Sequence, residues 1–353
     1  MIQTEIRMLS HHLAEPLFEA PKDLVAWMGA VQAQDYAMSK WAVGLRLKGG
    51  SLQGVEEALR KGEIVRTHVM RPTWHYVAGE DIRWMLMLSS RRLRKTFDSW
   101  GKACGVDIPE SLYTRCNDLF VKMLEGHRCL TREEIGTELE RAGVANANDL
   151  VRRYILRAEI EGIVCSGGDK EGKPTYALLE EQVAPVAGQL HPEEALVKLA
   201  DCYFRSHSPA SLKDFIWWSG LPVKEARQAV SLLGDRLITE CRDGQEFLTY
   251  ASCRKTEVKE VVHFLPPYDE YLVAYKDRSN VIDENHYPKA FNKWGLFYPV
   301  ILCNGRIAGN WSRFLKRGKT IAGTSFFEPG SPLREALLEQ AEKKYKAFLG
   351  SVQ

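Results

Sequence analysis

The chain has 353 residues, 45% of them hydrophobic and 27% charged, which excludes a disordered or fibrous protein and fits an ordinary globular one. Its length implies two or three structural units with a core large enough to need no staples. The net charge of +2 lacks the strong basic excess of many nucleic-acid-binding domains, although basic runs stand at Arg91, Arg92, Arg94 and Lys95 and at Arg152, Arg153 and Arg157.

No apolar run is long enough to span a bilayer, and the opening MIQTEIRMLS lacks the basic start and apolar stretch of a signal peptide. The eight cysteines are scattered without a C-x-x-C pair, so neither a zinc knuckle nor a redox dithiol is signalled, and reduced thiols in a cytoplasm are expected.

In chain order, helices are expected at about 22–31 and 53–61. The extended stretch Ile64 to Val69 follows, with a return through Thr73 to Val77. A clearer unit begins with a helix at 111–125. Thr131 and Glu134 then have the spacing of a capping box, opening a helix that ends near Gly143. A third helix starts at Asn148 or Asp149 and runs to about Gly162. It places Val151, Tyr154, Ile155 and Ala158 on one face and Arg153 and Arg157 on another. A hairpin closes this unit through 163–165 and 175–178.

The same order recurs with helices at 192–205, 210–219 and 223–233. Strands at 237–241 and 247–250 follow, turned at Asp243-Gly244. Residues 260–328 read as β-rich, and a helix from about 331 to 349, punctuated by Pro332 and Gly350, closes the chain. Two or three helices followed by a hairpin describe a winged helix. The expected fold class is therefore α+β with three winged-helix units: 1–105, 106–185 and 186–255, followed by a β-rich region at 256–353.

Several chemistries are set aside. Gly167 through Lys173 has Walker A spacing, but Pro174 replaces the hydroxyl residue. Gly318-Lys319-Thr320 lacks its upstream glycine. Neither a zinc-protease helix nor a G-x-S-x-G elbow occurs, and the zinc-deaminase pattern is missing. His11-His12 has no supporting ligand pattern and reads as a surface helix feature. Trp41 and Trp74 read as core.

Gln32 and Gln34 remain. On a helix their side chains would diverge by about 200°; in an extended segment they would share a side. A joint role therefore requires the helix that begins near Pro21 to stop before Gln32. Two neutral amides on one side can hold a water or line a polar pocket.

The stretch Val31-Gln32-Ala33-Gln34-Asp35-Tyr36 through Arg46 resembles a signature of the AlkZ/YcaQ family of winged-helix DNA glycosylases. So do Arg71-Pro72-Thr73-Trp74-His75, the run from Phe264 to Tyr271 and the run from Asn304 to Trp311. The resemblance spans almost the whole chain. It implies three tandem winged helices forming a C-shaped DNA-binding cleft, with a β-rich C-terminal part. Gln32-Ala33-Gln34 matches the Gln-hydrophobic-Gln motif of the AlkZ branch, whereas Asp35 is not in the matching position. Pro72 stands where the family often has Gly, and it would stiffen the hairpin before Thr73 and His75.

The family's substrates are N7-alkylated purines, including some interstrand crosslinks. Alkylation makes the base cationic and already a good leaving group. Glutamine carbonyls then suffice to orient water toward the anomeric carbon and to stabilise an oxocarbenium-like state. The resemblance thus implies base release without strand cleavage, by Gln32 and Gln34 with His75 as a further catalytic candidate. Arg71, Thr73, Arg91, Arg92, Lys95, Arg153, Arg157 and Asp269 are candidate DNA contacts, Asp269 alternatively pairing with Arg278. Double-stranded DNA bearing alkylated bases is the expected partner, with no membrane, no metal and no cofactor, and a monomer suffices. The alternative is a winged-helix regulator that binds DNA without catalysis, because fold alone does not decide function.

Overall fold

A computed structural model describes residues 3–185, 188, 190–242, 244–253, 257–316, 319–328 and 335–350. The expected turn residue Asp243, the Gly318 of the rejected phosphate loop and the expected helix punctuation at Pro332 lie outside these. The chain forms two compact units, one of residues 1–55 with 197–353 and the other of residues 56–196. The expected first region, 1–105, spans parts of both. Helices combine with small antiparallel sheets, an α+β protein.

The second unit contains a hairpin, Ile64–His68 against Trp74–Ala78, in register from Ile64↔Ala78 to His68↔Trp74. The 22-residue helix Ile82–Ala103 follows. It carries the 91–95 basic run, which sequence periodicity alone did not place on an element. Beyond it come the helices Glu110–Leu124, Arg132–Arg141 and Asn148–Ile160, then the hairpin Val164–Ser166 and Thr175–Leu178. The short strand Leu130–Thr131 pairs with the returning strand, Leu130↔Tyr176 and Thr131↔Thr175. Thr131 then caps the next helix: its hydroxyl accepts from the Glu134 N–H, and Glu134 returns a bond to the Thr131 N–H, closing the box. Val151, Tyr154, Ile155 and Ala158 bury their face against Cys116, Phe120, Ile135 and Leu139, the stripe that their spacing predicts.

The first unit repeats this device. After the helix Pro192–His207, Ala210 bridges Leu248 on the returning strand of the hairpin Leu237–Arg242 and Gln245–Tyr250. Ser211 and Asp214 then form a second reciprocal capping box, opening Leu212–Ser219. The helix Val223–Leu233 completes the set. The β-rich region is a four-stranded sheet ordered Lys319–Phe326, Arg306–Lys316, Val300–Cys303, Val262–Leu265. The C-terminal helix Glu335–Phe348 buries Ala341, Tyr345 and Phe348, with Tyr345 and Phe348 against the Trp41 ring.

His11 and His12 are buried rather than on a surface. His11 lies against the rings of His207, Tyr271 and Tyr275, so the pair belongs to the core of the first unit. The alternation of polar and apolar residues in 3–10 resembles a surface helix, and only the tertiary packing reverses that reading. Trp41 is buried as expected, whereas Trp74 is half-buried.

Candidate active site

The helix Pro21–Met28 ends at Gly29, whose φ is +76°. An L side chain is disfavoured there, and a Cβ would also sit 2.8 Å from Cys202 Cβ. The chain leaves the helix at that point, and Val31–Gln32 is extended. Asp35 then caps the helix Tyr36–Gly44, its carboxylate accepting from the Met38 N–H at 3.0 Å. The dipeptide Ala33-Gln34 thus lies between a strand and a capped helix start, and Asp35 has a structural task of its own. Gln32 is buried and Gln34 half-buried, with Gln34 Oε1 sealed from solvent and without a hydrogen-bond partner.

The run Phe264 to Tyr271 braces this segment. Two indoles hold carbonyls at its start: Trp41 Nε1–H donates to Phe264 O and Trp311 Nε1–H to Leu265 O, each at 2.7 Å. Asp269 receives a two-pronged bond from Arg46, at 2.6 and 2.9 Å, and accepts from the Tyr271 N–H. The Tyr271 hydroxyl donates to Gly305 O at 2.9 Å. Glu270 Oε1 accepts from the Gln32 backbone N–H at 2.6 Å. Three separated sequence signatures, at 31–46, 264–271 and 304–311, therefore interlock in one unit. Arg278 bonds Leu272 O through Nε, and the ion-pair partner of Asp269 is Arg46, not the alternative, Arg278.

The fourth signature lies in the second unit, at the turn joining Ile64–His68 to Trp74–Ala78. Met70 has a φ of +62°, strained for a side chain with a Cβ. The Thr73 N–H reaches back over Pro72 to Arg71 O at 2.7 Å, so a proline is accommodated where no donor is needed. His75 is 0% exposed. Its Nδ1 bonds Thr73 O at 3.0 Å and its Nε2 faces Arg71 Nη2 at 3.4 Å. Both contacts are satisfied by a neutral ring protonated at Nδ1. Burial, then the Arg71 charge, holds the His75 pKa well below the usual imidazole range.

The basic candidates divide. Arg157 is 3% exposed and bonded to Asp98 at 2.5 Å, Glu110 at 3.1 Å and Glu161 at 3.3 Å, with its guanidinium over the Tyr113 ring. Arg92 donates to Met70 O at 2.9 Å, which ties the long helix to the strained turn. Arg94 pairs with Glu110 at 2.7 Å. Arg91 and Lys95 are exposed, four residues apart on one helix face, and make no ion pair among the described residues. Arg153 is half-buried, with a guanidinium nitrogen near Gly101.

The DNA glycosylase AlkZ-like family matches residues 25–348. This chain belongs to that family. The AlkZ-like match begins before the glutamine pair and runs through all four signatures to the end of the last helix. Among solved structures, the Streptomyces sahachiroi DNA glycosylase AlkZ is similar. It is 20% identical, with 99% of this chain and 98% of that one covered and a TM-score of 0.78, which establishes a shared fold. No curated protein gives a significant match. No helix among the described residues is long and apolar enough to cross a membrane.

Sequence reasoning gave no role to Glu270 or Arg46, although both stand inside the AlkZ-like signatures. Their signal was the presence of a carboxylate pair and an arginine in otherwise apolar runs, where ionised groups are kept only with partners.

Proposed function

We propose that this protein is a monofunctional DNA glycosylase that hydrolyses the N-glycosidic bond of N7-alkylated purines, crosslinked ones included, and leaves abasic sites. One observation carries the reading: Gln34 Oε1 is buried without a hydrogen-bond partner, in a segment whose backbone is fixed on both sides. A buried carbonyl oxygen left unbonded forgoes about 1–3 kcal/mol, which a substrate group or water that donates a hydrogen bond to it recovers. Gln34 orients the attacking water and Gln32 assists it or the sugar. The amides supply partial negative charge to the oxocarbenium-like state without taking up a proton. The cationic base leaves without a strong acid, and no lysine serves as a Schiff-base nucleophile.

Double-stranded DNA is the partner, and a monomer suffices. The helix–helix–helix–hairpin sets at 110–178 and 192–250 are proposed as winged helices; the repeated strand bridge and capping box support their kinship. Within the proposed DNA-contacting set, Arg91 and Lys95 make no ion pair among the described residues, while Arg71, Thr73, Arg92 and Arg153 belong to the same unit. Arg157 and Asp269 leave the set, because their charges are consumed by internal partners. His75 is proposed as a positioning residue that holds the Arg71–Thr73 turn.

Incubation with a duplex containing N7-methylguanine tests the reading. Wild type should yield abasic sites without strand breaks, and Gln34→Ala should lose base release while retaining DNA affinity. Tight binding without base release by wild type would favour a DNA-binding regulator, and full activity in Gln34→Ala would remove Gln34 from the site.

A further inference from the structure

Glu270 is fully buried, and its two oxygens are engaged by groups that carry no charge. Oε1 accepts from the Gln32 N–H at 2.6 Å and Oε2 from the Trp218 indole N–H at 3.1 Å. Among the described residues no arginine or lysine reaches it. His207 Nε2 stands 3.5 Å from Oε2. The Ser206 hydroxyl donates to Cys202 O at 2.6 Å, so its oxygen accepts from His207 Nδ1–H at 2.7 Å. Nδ1 therefore carries a proton; burial lowers the pKa of the ring and the Glu270 carboxylate opposes that shift. The adjoining Asp269 shows the contrast, because a guanidinium compensates it fully.

A carboxylate buried without an arginine or lysine partner costs several kcal/mol. Stability alone does not explain it, since a neutral or apolar residue of similar volume would serve packing better. What it does hold is the peptide N–H of Gln32, two residues from Gln34, at the point where the chain has left one helix and not yet entered the next. Val31–Gln32 is a strand of only two residues, and the charge-assisted bond from the Gln32 N–H to Glu270 helps to set how the segment lies.

We propose that Glu270 is the positioning residue of the glutamine pair: its carboxylate, steadied by Trp218, clamps the Gln32 amide and thereby fixes the directions in which Gln32 and Gln34 project. This rests on the glycosylase reading above. Glu270 touches no substrate; it acts through the backbone. A displacement of about 1 Å in a catalytic group is enough to lose on the order of 10²-fold in rate.

The test combines single-turnover base release from an N7-methylguanine duplex, DNA affinity, and amide hydrogen exchange of peptides covering residues 29–35. Glu270→Gln has one acceptor oxygen for two donors. It should slow the chemical step by about 10–100-fold at nearly unchanged DNA affinity, and speed exchange in 29–35 but not in the helix 110–124 of the other unit. Glu270→Asp keeps the charge but falls short of the Gln32 N–H, and should not rescue the rate. Where Glu270→Gln folds poorly, Trp218→Phe removes the steadying donor together with some ring volume against Tyr203 and His207, and should cost about three- to tenfold in rate per folded molecule, the scale of one hydrogen bond. Unchanged rate and unchanged exchange in these variants would overturn the positioning role. A fully active Gln34→Ala would instead overturn the assignment of the site, and the exchange measurement would still decide whether Glu270 holds the Gln32 amide.

Discussion

Arg46 and Asp269, 223 positions apart in sequence, form a two-pronged ion pair at 2.6 and 2.9 Å with both side chains essentially sealed from water. Arg46 also donates to Ala42 O at 2.8 Å. The pair therefore locks the end of the helix carrying Trp41 to the segment that carries Glu270. It is the mechanical link between two of the AlkZ-like signatures.

Removing one partner strands the other charge in the core. Asp269→Ala is expected to destabilise the first unit by about 3–5 kcal/mol, measured by urea denaturation. Replacing both residues with apolar ones of similar volume should restore much of that loss. If Asp269→Ala unfolds at the wild-type midpoint, the pair carries no structural weight.

Gly29→Ala tests the helix stop. The positive φ and the close approach to Cys202 together should cost about 1–3 kcal/mol. They should also move Gln32, so base release falls more than global stability alone explains. Equal rates per folded molecule would show that the helix end does not set the glutamine geometry.

These tests fall on residues with unequal signals in the sequence. The capping box at Thr131 and Glu134, the apolar stripe of Val151 to Ala158 and the hairpins were legible because each is a local pattern whose period or spacing follows from backbone geometry. The helix stop before Gln32 was legible as a requirement, but the conformation of Gly29 that enforces it was not singled out. The internal pairing of Arg157 was not legible, because helical spacing assigns a face and not its neighbours. Asp98 and Glu110, which neutralise it, come from other helices. His11 and His12 failed for the same reason, and Glu270 acquires its meaning only when residue 32 is brought to it. Long-range polar contacts have no periodicity to betray them.

His263 gives a pH signature. Burial is the main cause that lowers its pKa to about 3, with the Lys344 and Arg46 charges adding to it and a bond donated to the Leu13 backbone opposing. The unfolded group titrates near 6.5, so the folded state excludes a proton that the unfolded state binds below that pH. The stability is fully present above pH 6.5 and is lost as pH falls toward 3, at up to about 1.4 kcal/mol per pH unit from this group. His263→Gln, compared with wild type by denaturant melts at pH 7 and pH 5, should show a smaller loss on acidification. A parallel pH dependence in the two proteins would mean that His263 is not held neutral.

Arg91 and Lys95 are the sharpest test of the DNA face. Both are exposed on the helix Ile82–Ala103 without ion-pair partners among the described residues, whereas Arg157 already spends its charge on three carboxylates. Each phosphate contact contributes about 0.9 to the slope of log affinity against log salt. Arg91→Ala with Lys95→Ala should therefore flatten that slope by about 1.8 and weaken binding to lesion-free and lesion-bearing duplexes alike, because phosphate contacts carry no sequence or lesion information. Arg157→Met should leave the slope unchanged and instead lower the melting temperature, since it takes the guanidinium from Asp98 and leaves Glu110 and Glu161 with Arg94 alone. A flattened slope in Arg157→Met, with none in the Arg91 and Lys95 double variant, would reverse this assignment of the DNA-contacting face.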